Sequence, residues 1–161
     1  MAKRGLNEAL EVVEMTYAEL SQIANDMVQT YFDPINKIVN DLGDVNDLTN
    51  DEIRSFMINL AILSFGLSEV KEKAALKANL AEAIRKETYA KKFSEAEGTV
   101  GGRDTFATLE TSQELVSQSL YELVSNLIRS KQDSCNRLVD ACKTIIMSRM
   151  SEAKLTTNSI D

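Results

Sequence analysis

Residues 49–67 read TNDEIRSFMINLAILSFGL, and they open the longest helix that the sequence predicts. Thr49 followed by Glu52 three residues later is a capping box, in which each side chain bonds the other residue's backbone N–H. Apolar residues then recur at alternating steps of four and three, the spacing of one helix face. The predicted stripe contains Phe56, Leu60, Leu63, Leu67, Val70, Ala74, Ala81 and Ile84, with Lys77 in the same row. Beyond Leu67 alanine replaces the bulky side chains, so the second half of this helix has little apolar area to bury.

An earlier stripe with the same spacing predicts a long first helix. It contains Leu6, Leu10, Val13, Tyr17, Leu20, Ala24, Met27 and Tyr31. More than three heptads in succession favour a coiled-coil-like helix. Asp33-Pro34 is predicted to interrupt it and to start a short second helix, because aspartate caps helices and proline suits the first helical position. Gly43 is predicted to close that helix.

Residues 97–104, EGTVGGRD, hold three of the six glycines and predict the chain reversal. A phosphate-binding nest at Gly101-Gly102-Arg103 is the alternative, although the spacing of a nucleotide-binding loop is missing. Thr111 and Glu114 repeat the capping-box pattern at the start of the last helix. We therefore expect a single domain with four segments: helices over 1–96, a reversal loop over 97–110, a C-terminal helix over 111–150 and a flexible tail over 151–161.

The predicted fold class is all-α, a long antiparallel helical hairpin with coiled-coil-like seams that forms a homo-oligomer. The residues predicted to mediate oligomerisation lie on the apolar side of the C-terminal helix: Leu120, Leu123, Leu127, Leu138, Cys142 and Ile145.

Composition argues against several kinds of active site. The chain has no histidine, the commonest general base and zinc ligand, and no serine sits in a nucleophile-elbow motif. We expect no enzymatic activity, no cofactor, no metal and no small-molecule substrate. Cys135 and Cys142 stand two helical turns apart, too far for a disulfide, so they are predicted to be free thiols in a reducing cytoplasm. No run approaches about 18 consecutive apolar residues, so we expect neither secretion nor membrane insertion.

Charge is unevenly distributed along the chain. The net charge is −7, which disfavours nucleic acid as a partner, yet residues 71–92 carry seven basic side chains against three acidic ones. Tyr89 and Phe93 stand one helical turn apart among these cations and could stack on unpaired bases. The predicted nucleic-acid-binding residues are Lys73, Lys77, Arg85, Lys86, Tyr89, Lys91, Lys92 and Arg103. The alternative is an ordinary solvated helix face.

Residues 73–80, K-A-A-L-K-A-N-L, resemble the K-x-A-L-K-A-R-L stretch of phage recombination mediator proteins of the UvsY family. The order of elements over residues 68–150 is similar as well. The resemblance implies a helical oligomer that binds single-stranded DNA and helps load a RecA-type recombinase onto DNA covered by single-strand-binding protein. Lys77 matches the family's lysine, whereas Asn79 stands where the family has arginine, so part of the implied DNA-binding charge is missing.

Two other functions agree with the same composition. One is a helical phage structural or assembly protein, such as a scaffold or connector component, whose heptads serve self-association alone. The other is an inhibitor that binds a basic host protein through its acidic surface. From composition alone the solvated helix face is favoured, and it is the resemblance that favours the single-stranded DNA-binding protein.

Overall fold

The computed structural model describes the backbone of residues 2–158 and the side chains of residues 17–155. All regular structure in that part of the chain is helical, which confirms the all-α prediction. The elements are α1 (Ala2–Asn40), a 3₁₀ turn (Val45–Asp47), α2 (Asn50–Glu95), α3 (Val100–Glu110) and α4 (Ser112–Asn158).

Pro34 lies inside α1, so the predicted interruption at Asp33-Pro34 is wrong. A proline inside a helix removes one backbone donor and costs about 3 kcal/mol. Tertiary contacts of the two residues that follow Pro34 offset this cost. Ile35 is fully buried, and Asn36 accepts a hydrogen bond from Lys131 Nζ of α4. Tertiary packing thus keeps the helix continuous where local preference would end it.

The turn between α1 and α2 follows the sequence closely. Gly43 has a φ of +63°, the left-handed conformation that ends a helix at low cost to glycine. The Thr49 N–H donates to Glu52 Oε2 at 2.7 Å, and the Glu52 N–H donates to Thr49 Oγ1 at 3.3 Å. The predicted capping box is therefore confirmed, and α2 begins and ends near the predicted residues.

The predicted reversal loop over 97–110 is wrong for most of its length. The chain reverses over residues 96–99, where Gly98 has a φ of +105°. Thr99 then caps α3 by accepting a hydrogen bond from the Gly102 N–H, which places Gly101 and Gly102 in the first turn of a helix. The helical backbone there also removes the alternative of a glycine nest.

The second capping-box pattern does not form one. The Thr111 hydroxyl donates back to the Ala107 carbonyl at 3.0 Å, and the Thr111 N–H donates to the Thr108 carbonyl. Because α3 ends immediately before Thr111, the Thr111 N–H belongs to the last turn of α3. It is therefore not available to donate to the Glu114 carboxylate, as a capping box requires. At the other end α4 continues to Asn158, past the predicted end at residue 150. The predicted flexible tail is therefore helical as far as residue 158, and residues 159–161 lie outside the described residues.

Contacts divide the chain into two compact units. Unit 1 consists of Met1–Val28 and Val70–Leu127, and unit 2 of Gln29–Glu69 and Ile128–Asp161. Among the side chains that the structure describes, the buried apolar residues of unit 1 are Ala24, Val28, Ala74, Ala78, Ala107 and Val124. Those of unit 2 are Ile35, Ile53, Phe56, Leu60, Leu67, Ile128, Cys135, Cys142 and Ile146.

Contacts within unit 2 show α2 and α4 running antiparallel, as the hairpin prediction requires. Gln132 donates to the Ser64 carbonyl and to Ser68 Oγ, both at 3.0 Å. Arg149, further along α4, reaches back to the start of α2, where its guanidinium donates to the Leu48 carbonyl at 2.7 Å. Residues further along α4 therefore contact residues nearer the start of α2, which is the antiparallel arrangement.

The predicted stripes are only partly the buried ones. On α2, Phe56, Leu60, Leu67 and Ala74 are buried as expected, but Ala78 takes the buried position next to Lys77, which is exposed. On α1, Ala24 is buried, whereas Tyr17, Met27 and Tyr31 are exposed. Leu6, Leu10 and Val13 lie outside the residues whose side chains are described.

Within the residues that the structure describes, one helix, α2, has the length and composition of a membrane-spanning segment. Its most apolar window of 18 residues has a mean hydropathy of 1.3, and 28% of that window is buried inside the protein. Core helices of soluble proteins can pass the same test. The finding shows that much of the apolar surface of α2 is left uncovered by the chain itself.

Candidate nucleic-acid interface

The eight residues predicted to bind nucleic acid all lie in unit 1, seven on α2 and Arg103 on α3. The structure separates them by exposure. Lys73, Lys77, Lys86 and Lys91 are exposed. Arg85, Tyr89, Lys92 and Arg103 are half-buried.

Three of the exposed lysines form a row along one face of α2. Lys73 and Lys77 are one turn apart, and Lys91 follows Lys73 by five full turns, or about 27 Å along the axis. We call Lys73, Lys77 and Lys91 the lysine row. The exposed aliphatic residues Leu76, Leu80 and Ile84 lie on the same face between them. The Lys77 ammonium stands 5.0 Å from the centre of the Tyr121 ring on α4, a cation–π contact that orients it while leaving its residue exposed.

The two aromatic residues predicted to stack on bases instead join α2 to α3. The rings of Tyr89 and Phe93 stack on each other with centres 6.0 Å apart. The Tyr89 hydroxyl donates to Asp104 on α3, and this bond to a carboxylate raises the tyrosine pKa above its usual value. One ring face of each residue is therefore occupied within the chain.

Arg103 completes this aromatic contact from α3. Its guanidinium donates from Nε and Nη2 to the Phe93 carbonyl at 2.9 and 2.7 Å, and it lies 4.4 Å from the centre of the Phe93 ring. The Phe93 carbonyl and ring therefore occupy two guanidinium nitrogens and one face of the Arg103 side chain. In this structure Arg103 connects α3 to the end of α2 and leaves little of its guanidinium available to a phosphate.

Three further predicted cations, Lys86, Lys92 and Arg85, are paired or enclosed within the chain. Lys86 pairs with Glu82 at 2.6 Å, which lowers the pKa of that carboxyl, and Lys92 pairs with Glu110 of α3 at 3.4 Å. The Arg85 Nε is enclosed and has no hydrogen-bond partner. These three side chains would have to rearrange before they could contact a phosphate.

The predicted oligomerisation residues on α4 are also unequal. Cys142 is 1% exposed and belongs to the core of unit 2, so its assignment to a contact between subunits is wrong. Its burial raises the pKa of the thiol, and both cysteines are free. The other five residues, Leu120, Leu123, Leu127, Leu138 and Ile145, are half-buried. Much of the apolar side of α4 is therefore used inside the chain.

Sequence reasoning missed one open cleft in unit 2, with a volume of about 460 Å³. Its apolar lining is Ile38, Leu42, Leu48 and Phe56, and its acidic lining is Asp41, Asp51 and Glu52. Glu52 is held in the capping box, and Asp51 pairs with Arg54 at 2.9 Å. No cluster of three metal-ligating side chains occurs in the described part of the chain. The cleft thus combines an apolar floor with acidic side chains, two of which are engaged in local contacts.

Comparison of the chain with protein-family models, with curated proteins and with solved structures finds no match in any of the three.

Proposed function

We propose that this protein is a non-enzymatic accessory factor of phage recombination and replication that binds single-stranded DNA through the lysine row of α2. The observation that carries the proposal is the exposed alignment of Lys73, Lys77 and Lys91 on one helix face. The proposed place of action is the host cell cytoplasm. Assistance in loading a RecA-type recombinase, in the presence of single-strand-binding protein, rests on the resemblance of residues 73–80 to the UvsY family.

The lysine row suits an extended polyanion better than a compact one. Its two ends are separated by about 27 Å, a span that several nucleotides of an unpaired strand can follow. Leu76, Leu80 and Ile84 lie between the cations, where exposed base faces can make apolar contacts. Paired DNA hides its base faces, so this part of the contact favours a single strand.

Binding by one subunit should be weak. Each lysine–phosphate contact on a single strand contributes about −0.7 to the slope of log affinity against log salt, so three contacts give about −2. The family's arginine is replaced by Asn79, and the chain's net charge of −7 opposes approach of DNA. Several subunits bound together would supply the avidity that one lacks, which is why self-association is part of the proposal.

The test is fluorescence anisotropy of a labelled oligonucleotide over a salt series. We expect Lys73→Gln combined with Lys77→Gln to weaken binding at least about tenfold and to reduce the salt slope by about 1.4, the share of two phosphate contacts. The matched control is Lys37→Gln combined with Lys143→Gln, which removes the same charge from unit 2 and should leave the slope unchanged. An unchanged slope in the first variant, or equal affinity for duplex, would contradict the proposal.

A helical assembly protein is the second candidate. It is favoured by exposed apolar residues on α2 in unit 2, where Ile58, Ile62 and Phe65 are 60%, 63% and 80% exposed. Such a protein would self-associate and show no affinity for the oligonucleotide at any salt concentration. The same anisotropy experiment therefore separates the two candidates.

A further inference from the structure

The open cleft of unit 2 lies where the end of α1 meets the start of α2, and it has an apolar lining. Ile38 of α1 and Leu42 just after that helix line one side, and Leu48 and Phe56 line the other. Phe56 is 8% exposed, so the apolar lining continues into the core of unit 2. The cleft volume of about 460 Å³ lies within the range of roughly 300–1,000 Å³ that is common among ligand sites.

Contacts within the chain hold the turn that lines this cleft. The Arg149 guanidinium of α4 donates to the Leu48 carbonyl at 2.7 Å and to the Val45 carbonyl at 2.9 Å. The capping box fixes the backbone of Thr49 and the carboxylate of Glu52. The cleft is therefore formed before any ligand binds, which reduces the ordering that association requires.

Carboxylates border the apolar lining, and we call the cavity the acidic cleft. Asp41 makes no side-chain hydrogen bond or ion pair within the described part of the chain. The Thr49 N–H and hydroxyl both donate to Oε2 of Glu52, which leaves Oε1 for a ligand. Asp51 pairs with Arg54, but their side chains are 89% and 54% exposed, and such ion pairs are weak enough to exchange partners.

This combination of groups suits a ligand that carries both cations and apolar groups. None of the described residues that line the cleft is cationic, so nucleic acid and anionic lipid are repelled. Asp41 borders one side of the cleft, whereas Asp51 and Glu52 border the other. One small cation neutralises one carboxylate. A helical segment with lysines beside a leucine face brings several cations and several apolar groups to the cleft together.

We propose that the acidic cleft is a docking site for a basic amphipathic segment of a partner protein. Apolar side chains of the segment contact Leu42 and Phe56, and its lysines or arginines pair with Asp41 and with the carboxylates at the start of α2. The site adds a protein partner to the proposed function, and it stands whether or not the lysine row binds DNA.

Fluorescence anisotropy of a labelled synthetic helical peptide of leucine, lysine and alanine, titrated with the full chain, tests the charge contact. We expect Asp41→Lys to weaken binding at least about tenfold, because it sets like charges against each other. Asp133→Lys, the same charge change at an exposed position of α4 in unit 2, should change affinity by less than about twofold. No binding to the wild type, or an equal loss in both variants, overturns the proposal.

The apolar contact is tested with the same peptide. Leu42→Gln should weaken binding at least about threefold, since it removes apolar area from the contact. Val39→Gln is the matched control, because Val39 is 36% exposed on the same segment and does not line the cleft. Thermal unfolding followed by circular dichroism establishes that each variant folds. Unchanged affinity in folded Leu42→Gln, or equal affinity for a peptide with serine in place of leucine, overturns the proposal.

Two further measurements separate the partner segment from other occupants. Phenethylammonium, which carries one ring and one ammonium group, should displace the peptide only at concentrations at least about a hundredfold above the peptide's dissociation constant, because it makes one charge contact where the peptide makes several. Displacement at equal concentration would assign the cleft to a small organic cation. Self-association of the wild type that Asp41→Lys abolishes in sedimentation equilibrium would assign it to a second copy. Either result overturns the proposal.

Discussion

Units 1 and 2 are built from the same long helices but with cores of different composition. Among residues 17–155, whose side chains the structure describes, four of the six buried apolar residues in unit 1 are alanines, whereas unit 2 buries isoleucine, leucine and phenylalanine. Buried apolar area is the main source of folding free energy, so within this part of the chain unit 2 should supply more of the stability. Unit 1 also has polar connections such as Arg103 to Phe93. The alanine-rich part of the unit 1 core lies in the same unit as the basic surface, and the larger side chains of the unit 2 core lie in the same unit as the exposed apolar residues Ile58, Ile62 and Phe65.

Truncating the core of unit 2 tests this difference most strongly. Leu60 is completely buried. We expect Leu60→Ala to lower the free energy of unfolding by about 2–5 kcal/mol, through lost apolar burial and the cavity left behind. Urea denaturation followed by circular dichroism measures the effect, and Met57→Ala, a less buried neighbour, serves as control. A loss below about 1 kcal/mol would mean that unit 2 is not the source of stability that its core suggests.

Enlarging a residue in the core of unit 1 tests whether its helices are as close as the alanines imply. Ala107 on α3 is completely buried. We expect Ala107→Leu to lower the free energy of unfolding by about 1–3 kcal/mol through overpacking. Ala107→Ser, which adds little volume, separates the steric effect from other causes. Stabilisation by the leucine would show unfilled space at this position and weaken the contrast between the units.

The capping box at the start of α2 should have a smaller effect that varies with pH. We expect Thr49→Ala to cost about 0.5–2 kcal/mol and Thr49→Ser to cost less, since serine keeps the hydroxyl. Hydrogen bonds from Thr49 lower the pKa of Glu52 below its usual 4.5. The resulting stabilisation is present above the unfolded-state pKa and is lost as the pH falls below it. The stability of Thr49→Ala should therefore fall less on acidification than the stability of the wild type. Urea denaturation at neutral and at acid pH measures the difference.

The smallest expected effect concerns the contact of Tyr89 with Asp104. The hydrogen bond raises the pKa of the phenol above its usual 10.0, so its contribution to stability is present below that pH and is lost as the pH rises through the raised value. Ultraviolet titration should show a late ionisation step that comes from Tyr89. That late step should be absent in Tyr89→Phe. Identical titration curves would mean that the contact between α2 and α3 does not persist in solution.

Two threonines show where local sequence suffices and where it does not. Thr49 and Thr111 stand in the same capping-box pattern, yet only Thr49 forms the box. Its N–H is available because an irregular turn precedes it. The N–H of Thr111 is already used by α3, an element that the glycines at 101 and 102 argued against. The pattern alone could not distinguish the two cases, because the difference lies in the segment before the cap.

The candidate interface was identified only in outline from the sequence. The positive charge of residues 71–92 is a property of composition, and the one-turn spacing of Lys73 and Lys77 follows from helix geometry alone. That Tyr89 contacts α3, and that Arg103 of α3 contacts the end of α2, could not be read from the same pattern, because both depend on how the reversal folds back on α2. The role of Arg149 in holding the turn before α2 was missed for a similar reason, since about a hundred residues separate the two partners.

The amino-acid sequence by itself determined that the chain is helical, where α2 begins and ends, and which segment is basic. Each of these depends on side-chain period, capping groups or charge, which act over a few residues. Tertiary structure alone decided that α1 continues through Pro34, that Ala78 rather than Lys77 is buried, and that Ile58, Ile62 and Phe65 of α2 remain exposed. A helix with apolar residues on two faces can bury either, and only the position of its neighbours selects the one that is covered.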